Sequence, residues 1–394
     1  MLPRPSLSFM LPSFHDATTL DCRIYHPASL NDPASSVSTF PWLRHAAVVA
    51  HPYAPLGGCF DDPVVDVVAN TLLHIGFVVA TFNFRGAPPS GGRTSWTSKP
   101  ERADYMSVVG FLAHYVHYLD PLPRPLAQFH KTEPLMLLAG YSYGAMITTK
   151  LPSLDNILSH FVSPPVSSAA ADIRLRAQHL AEQQNAMFAT PASPRKSLGM
   201  RVGGDQGGSP PKSRDRSSVR LADREERIRR GVKELLERTK LTRKKHDHSH
   251  MKTEHVEECL EKLECFTVFR DAYLVVSPPI GVVTNLATMS FPSPFSNWSK
   301  RLNHSNPPSK GVHGETDERL ITRPTLVIYG SQDGFVSSRK MRDWAGRLSG
   351  AEGSRFRHVE VSGAGHFWLE EGAMDKLKDA VGTFSRGLLS DGGY

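Results

Sequence analysis

The chain has 394 residues, with 46 Lys and Arg against 39 Asp and Glu and a formal net charge of +7. This length suits one large globular domain or two ordinary ones, and no apolar run approaches the ~18 residues that cross a bilayer. The four cysteines form no disulfide framework for a chain of this length, and Met1–Pro5 lacks the basic start of a signal peptide, so we expect a reducing, cytoplasmic setting.

The N-terminal part alternates predicted strands and helices. Asp62 is placed as an N-cap and Pro63 at the first helical position, so a helix is expected to begin there. The predicted elements are a hairpin at Ser8–Phe14 and Leu20–Tyr25, strands at Ala46–Ala50, Phe77–Phe84 and Leu135–Ala139, and a helix at Tyr105–Tyr118. This alternation predicts an α/β fold with a mostly parallel central sheet and helices on both faces.

The most informative segment is Gly140–Gly144, which follows the apolar strand Leu135–Ala139 and precedes a helix-like stretch from Ala145. A strand, a Gly-x-Ser-x-Gly turn and a helix together form the context of a nucleophile elbow, which predicts Ser142 as a catalytic nucleophile. The alternative is an ordinary turn, since Gly and Ser are common in turns.

The regular alternation stops after about Ser159. Pro191–Lys212 is rich in Pro, Gly and Ser and is predicted to be disordered, whereas residues 222–240 are predicted to form a charged helix with Glu–Arg pairs at i,i+4 spacing. We therefore expect residues 1–159 and 271–394 to be the two halves of one core domain. Residues 160–270 are expected to be a charged, low-complexity and partly disordered insertion.

The positive charge of the chain is concentrated in this insertion. Residues 195–245 hold 17 of the 46 Lys and Arg and 7 of the 39 Asp and Glu, which leaves 29 basic and 32 acidic residues elsewhere. The simplest interpretation is a solvated loop, and the alternative is a surface for nucleic acid or anionic lipid. A histidine-rich stretch with two cysteines matches no usual zinc spacing, so no metal is expected (His246, His248, His250, His255, Cys259 and Cys265).

The C-terminal part supplies two candidate partners for Ser142. Asp333 follows the predicted strand Thr325–Tyr329, and His366 follows the predicted strand Arg355–Val361. Since catalytic groups of open α/β sheets gather at the carboxyl ends of the strands, all three side chains are expected at one edge. The alternatives are that Asp333 only caps the next helix and that His366 is an ordinary loop histidine.

An acyl-transfer site also needs donors for the developing oxyanion. One is expected from the backbone N–H of Tyr143, the residue after the nucleophile, and another from the loop after the strand Ala46–Ala50. In that loop the N–H of Tyr53 is the candidate, because the neighbouring prolines have none to offer. A short lid is expected at 278–320, where aromatic side chains could form an apolar wall over Ser142 (Phe291, Phe295 and Trp298).

Taken together, these motifs resemble the α/β-hydrolase superfamily. The resemblance is to short-lid, dienelactone-hydrolase-like and prolyl-oligopeptidase-related serine esterases of bacteria and fungi, and we expect a fungal source. It extends over residues 1–158 and 272–390 and depends on six motifs: His51–Gly58, Phe82–Gly86, Gly140–Gly144, Ser277–Gly281, Tyr329–Asp333 and Gly363–His366. It implies a Ser142–His366–Asp333 triad. The chain differs from dienelactone hydrolases proper, which use Cys as nucleophile. We also expect no propeller domain before the core, so selection of small peptides is not implied.

The sequence therefore predicts a serine hydrolase, independent of any cofactor, that cleaves an ester or related acyl bond through an acyl-enzyme. Two alternatives stay open. The same acyl-enzyme could pass its acyl group to an alcohol or amine, as in an acyltransferase. The core could also be a non-catalytic scaffold that presents the basic insertion to a partner, because a fold alone does not establish activity.

Overall fold

The computed structural model describes residues 1–31, 42–120, 133–189, 215–246, 258–280 and 315–390. The strands are β1 Leu7–Pro12, β2 Thr19–Tyr25, β3 Ala46–Ala50, β4 Val78–Phe82, β5 Leu135–Tyr141, β6 Arg270–Val276, β7 Thr325–Gly330 and β8 Phe356–Val361. The α-helices are α1 Ala28–Asn31, α2 Pro63–Ile75, α3 Lys99–Tyr118, α4 Tyr143–Thr149, α5 Leu154–Ser159, α6 Ala169–Ala189, α7 Asp215–His246, α8 Glu315–Thr322, α9 Ser338–Ser349 and α10 Ala373–Ser390.

The described strands form one sheet in the order β1-β2-β4-β3-β5-β6-β7-β8. The pairs β1–β2 and β2–β4 are antiparallel, and all the others are parallel. An antiparallel hairpin on the edge of a parallel sheet with helices on both faces is the arrangement of the α/β-hydrolase fold. The predicted fold class is confirmed.

Buried side chains on both faces explain why the central strands are continuously apolar. In β3, Val48 packs into the core on one face of the sheet, and Val49 packs into the core on the other. Helices α3, α4 and α6 cover the first face, whereas α2 and α10 cover the second. Among the described residues, every helix is too short or too polar to span a bilayer.

The segment predicted to be a charged insertion begins with a helix of the core. Helix α6 buries Ile173, Ala177 and Leu180 in the same apolar cluster as α3. The composition of α6 gives little sign that it packs on the core, because charged residues such as Arg174 and Arg176 are also buried on it. Arg174 donates to the carbonyl oxygens of Val162 (2.9 Å) and Glu261 (2.6 Å), so its charge is satisfied by backbone.

Helix α7 contains the predicted charged helix and the three predicted Glu–Arg pairs at i,i+4 spacing (Glu225–Arg229, Glu226–Arg230 and Glu234–Arg238). It packs on α6 through Ile228, and Gly231 lies so close to the ring of His179 that a Cβ there would clash. The side chains of residues 239–257, including four of the histidines considered for zinc, lie outside the described residues. The same holds for Pro191–Lys212 and for the aromatic residues of the predicted lid.

Candidate active site

Ser142 occupies a sharp turn between β5 and α4. Its backbone has φ 53° and ψ −113°, which an L-residue adopts only when its surroundings impose it, and its N–H donates to the carbonyl oxygen of Val276 (2.9 Å). A Cβ on Gly144 would lie 2.6 Å from the carbonyl oxygens of Ala50 and His51, and one on Gly140 would overlap the backbone of Gly144. Glycine is therefore required on both sides of the serine.

Ser142, His366 and Asp333 form a continuous hydrogen-bonded chain. The Oγ of Ser142 lies 2.8 Å from Nε2 of His366, and Nδ1 of His366 lies 2.8 Å from Oδ2 of Asp333. A carboxylate only accepts hydrogen bonds, so Nδ1 carries a proton, and in the neutral imidazole the lone pair of Nε2 faces the serine hydroxyl. The side chains of His366 and Asp333 are both buried, which strengthens their interaction relative to the same pair in water.

The carboxylate of Asp333 is held by its own loop. Its Oδ1 accepts hydrogen bonds from the backbone N–H groups of Phe335 (2.8 Å) and Val336 (3.1 Å), whereas Oδ2 is left for His366. The aspartate therefore orders the turn before α9 and contacts the imidazole as well, whereas the N-cap of α9 is Ser337. The N–H groups that its carboxylate binds lie before the first residue of α9, so Asp333 is not the helix cap that the alternative proposed.

The loops that carry the acid and the imidazole are joined to each other. The N–H of Gln332 donates to the carbonyl oxygen of Ala364 (2.9 Å), and the N–H of Gly363 donates to Oγ of Ser331 (2.9 Å). The hydroxyl of Tyr141, just before the elbow serine, donates to the carbonyl oxygen of His366 (2.9 Å). The relative positions of the three candidate residues are thus fixed by contacts outside the triad itself.

The two predicted oxyanion donors lie on adjoining elements. Tyr143 is the first residue of α4, and Tyr53 precedes a short 3-10 turn at Ala54–Leu56. Their rings are 5.1 Å apart, so the loop after β3 reaches the elbow. Within the described part of the chain, neither backbone N–H donates to an acceptor, as expected of groups that are kept for a ligand. Burial raises the pKa of both tyrosine hydroxyls, so both phenols are protonated at neutral pH.

Two exposed aromatic side chains stand beside the imidazole. Phe335 is 40% exposed, and its ring centroid lies 4.4 Å from that of His366; Phe367 is 58% exposed, with its centroid at 5.5 Å. Exposed rings packed around a buried polar group form an apolar wall that a substrate can cover. Such a wall was predicted in the segment 278–320 and not at these two residues, which closely follow Asp333 and His366 in the sequence.

Four further residues that hold the site were not singled out as site residues from the sequence. They are His51, Tyr141, Ser277 and Trp368. Each acts through a long-range hydrogen bond that no local pattern encodes, although three of them, His51, Tyr141 and Ser277, lie in motifs that carry the resemblance. Their proximity to a predicted strand end or to a predicted catalytic residue was the available signal.

No family model and no curated protein matches this chain at a significant level. Solved structures with a similar course of chain include an α/β serine hydrolase homologue from Coxiella burnetii, with 15% identity and a TM-score of 0.45, over 97% of this chain and 99% of that one. An α/β serine hydrolase without lid from Xanthomonas campestris has 16% identity and a TM-score of 0.44, over 98% and 97%. Est1E from Butyrivibrio proteoclasticus with bound ferulic acid has 10% identity and a TM-score of 0.42, over 97% and 99%.

Proposed function

We propose that this protein is a serine hydrolase that cleaves a carboxylic ester or related acyl bond through an acyl-enzyme. The observation that carries the proposal is the chain of two 2.8 Å contacts from Ser142 through His366 to Asp333, built on a strained elbow. A serine hydroxyl is a poor nucleophile at neutral pH, and a neutral imidazole at hydrogen-bond distance is what activates it.

The contacts of Ser142 and His366 support the following order of steps. Oγ of Ser142 attacks the acyl carbon and its proton passes to Nε2 of His366, while the carbonyl oxygen becomes an oxyanion. His366 then gives that proton to the departing alkoxide, which leaves as an alcohol and completes the acyl-enzyme. Water then deacylates the enzyme: its proton passes to Nε2 and its oxygen bonds to the acyl carbon. His366 returns that proton to Oγ of Ser142 as the bond between Oγ and the acyl carbon breaks and the acid departs.

Asp333 and the two backbone amides have supporting roles in this scheme. The carboxylate keeps the Nδ1 proton in place and stabilises the imidazolium that forms during each transfer. The N–H groups of Tyr143 and Tyr53 are proposed to donate to the oxyanion. A well-placed donor of this kind lowers the activation barrier by about 3 kcal/mol. The two amides are available for this role because neither is used within the described structure.

The narrower assignments are also proposals. We propose a place near short-lid, dienelactone-hydrolase-like and prolyl-oligopeptidase-related serine esterases, on the strength of the six motifs that carry the resemblance. A cytoplasmic location agrees with four cysteines that are all free thiols. The fungal source, the division at residues 160–270 and an acidic partner for residues 195–245 stay predictions.

The function is tested with a series of p-nitrophenyl esters of increasing acyl length. We expect the wild-type protein to hydrolyse at least the short esters, Ser142→Ala and His366→Ala to lose turnover, and Asp333→Asn to lose about 10⁴-fold in kcat. Hydrolysis by Ser142→Ala at the wild-type rate would disprove the assignment. Added alcohol as acceptor separates the alternatives: free acid as the main product supports a hydrolase, and a new ester as the main product supports an acyltransferase.

A further inference from the structure

The end of β6 connects the nucleophile to the loop of the imidazole. Val276, the last residue of β6, accepts a hydrogen bond from the N–H of Ser142 (2.9 Å). The next residue, Ser277, accepts a hydrogen bond through its Oγ from the indole N–H of Trp368 (3.1 Å). Trp368 lies two residues after His366, so a short path of covalent and hydrogen bonds runs from the backbone of the nucleophile to that of the base.

The residues of this path have unusual backbone conformations. Ser142, Ser277 and Trp368 have φ of 53°, 45° and 58°, in the left-handed region that favours glycine. Each such conformation is disfavoured for a non-glycine residue, and it persists only where the surrounding structure imposes it. Trp368 is bulky and 1% exposed, so the fold keeps a large indole in a disfavoured conformation next to the site.

Ser277 also contacts the strand that leads to the acid. Its backbone N–H donates to the carbonyl oxygen of Ile328 in β7 (2.8 Å), five residues before Asp333. The buried Ser277 is therefore connected to three parts of the site. It adjoins Val276, which binds the backbone of Ser142, and it bonds to Ile328 in the strand before Asp333 and to Trp368 in the loop after His366. If these two side chains only filled space, neither the hydroxyl of Ser277 nor the indole N–H of Trp368 would be needed.

We propose that the Ser277–Trp368 hydrogen bond is a positioning device that holds His366 at transfer distance from Ser142. The proposal rests on the function proposed above. The strained conformation of Trp368 aims its N–H at Ser277 and thereby fixes the path of the chain two residues earlier, where Nε2 must face Oγ. Proton transfer needs heavy atoms within about 3 Å, and a misplacement of about 1 Å costs on the order of 100-fold in rate.

Two substitutions separate this positioning role from a contribution to stability. Ser277→Gly removes the acceptor and at the same time relieves the backbone strain, so its loss of stability is partly offset. Trp368→Phe removes the indole N–H and keeps an aromatic ring in the core. We expect each to lower kcat about ten- to 100-fold with KM within about twofold of wild type, and the double variant to lose no more than the worse single variant.

A matched control removes a buried hydrogen bond elsewhere. Tyr115→Phe deletes a hydroxyl that lies 2.7 Å from Nε2 of His26, on helix α3. It should lower the melting temperature and leave kcat unchanged. A kcat for Ser277→Gly and Trp368→Phe within twofold of wild type would overturn the proposal. It would also be overturned if kcat fell in proportion to the melting temperature across Ser277→Gly, Trp368→Phe and the control Tyr115→Phe.

A readout that does not require turnover distinguishes this proposal from the proposed function. The proton between Nδ1 of His366 and Asp333 gives a low-field proton resonance when the imidazole is held in place. We expect this resonance in the wild-type protein and in Ser142→Ala, and its broadening or loss in Ser277→Gly and Trp368→Phe. An unchanged resonance in both variants overturns the positioning role, whereas an inert wild-type protein with the resonance present overturns only the hydrolase assignment.

Discussion

His51 accepts a hydrogen bond at Nε2 from the backbone N–H of Phe84 (2.8 Å), and its Nδ1 donates to the carbonyl oxygen of Pro52. The imidazole thereby joins the loop after β3, which carries Tyr53, to the loop after β4. Burial lowers the pKa of His51 to about 4, so the ring is neutral at physiological pH, as this pattern of one donor and one acceptor requires.

This relationship predicts a pH dependence of stability. In the unfolded chain His51 binds a proton below pH ~6.5, whereas in the folded protein it does so only below about pH 4. The contribution of the neutral imidazole to the free energy of unfolding is therefore complete above pH ~6.5 and is lost as the pH falls toward 4. The loss is on the order of 3 kcal/mol. His51→Gln keeps an acceptor near Nε2 and does not titrate, so its unfolding free energy in urea should fall less between pH 7 and pH 5.

Other buried groups change protonation in the same range, so the two proteins must be compared at each pH. Burial lowers the pKa of His26 and His45 to about 4 as well, and it raises that of Asp21 to about 6, which has the opposite effect on stability. These contributions cancel in the difference between wild type and His51→Gln. A difference that does not change with pH would contradict the assignment of a neutral buried imidazole.

Gly144→Ala should remove activity by displacing the elbow. The new Cβ would lie 2.6 Å from the carbonyl oxygens of Ala50 and His51, and backbone atoms on a central strand cannot move aside. We expect a loss of more than 100-fold in kcat/KM, together with a lower melting temperature. The matched control is Gly346→Ala in helix α9, where a Cβ meets nothing within 4 Å and should stabilise by about 0.5–1 kcal/mol. Wild-type activity in Gly144→Ala would mean that the turn is not as tight as described.

Arg85→Met should destabilise the fold strongly. The guanidinium of Arg85 is buried and makes ion pairs with Asp104 (2.6 Å) and Asp16 (2.8 Å), and Asp104 is fully buried. Removal of the cation leaves an uncompensated carboxylate inside the protein, which costs about 3–5 kcal/mol. Arg230→Met breaks an exposed pair with Glu226 and should cost less than about 1 kcal/mol. Chemical denaturation measures both, and equal effects would contradict the distinction.

The aromatic wall predicts a preference for apolar substrates. Phe335→Ala and Phe367→Ala should each raise KM for the longer p-nitrophenyl esters by several-fold and change kcat/KM for the acetate ester little, because only longer groups reach both rings. Leu43→Ala removes an exposed apolar side chain before β3, at the opposite end of that strand, and serves as control. A dependence on acyl length that both aromatic variants share with wild type would exclude these residues from the substrate site.

The sequence predicted the elements of the site better than the contacts that hold it. Ser142, Asp333 and His366 could be placed at one edge because each follows a predicted strand, and parallel strands end at the same edge. Tyr141, Ser277 and Trp368 could not be found in this way, since their hydrogen bonds join residues that are distant along the chain. The packing of helix α6 on the core could not be predicted either. Its buried Arg174 is satisfied by two backbone carbonyl oxygens and its buried Arg176 by the carboxylates of Asp172 and Glu225, a set of partners that only the folded chain brings together.

The central claim is that Ser142 is an activated nucleophile. The most direct test is labelling of the native protein with a fluorophosphonate, which reacts with activated serines, followed by mass spectrometry of the peptides. We predict a single stoichiometric adduct on Ser142 that is absent in Ser142→Ala and forms far more slowly in His366→Ala. Unchanged labelling of Ser142→Ala, or an adduct on another residue, would contradict the account.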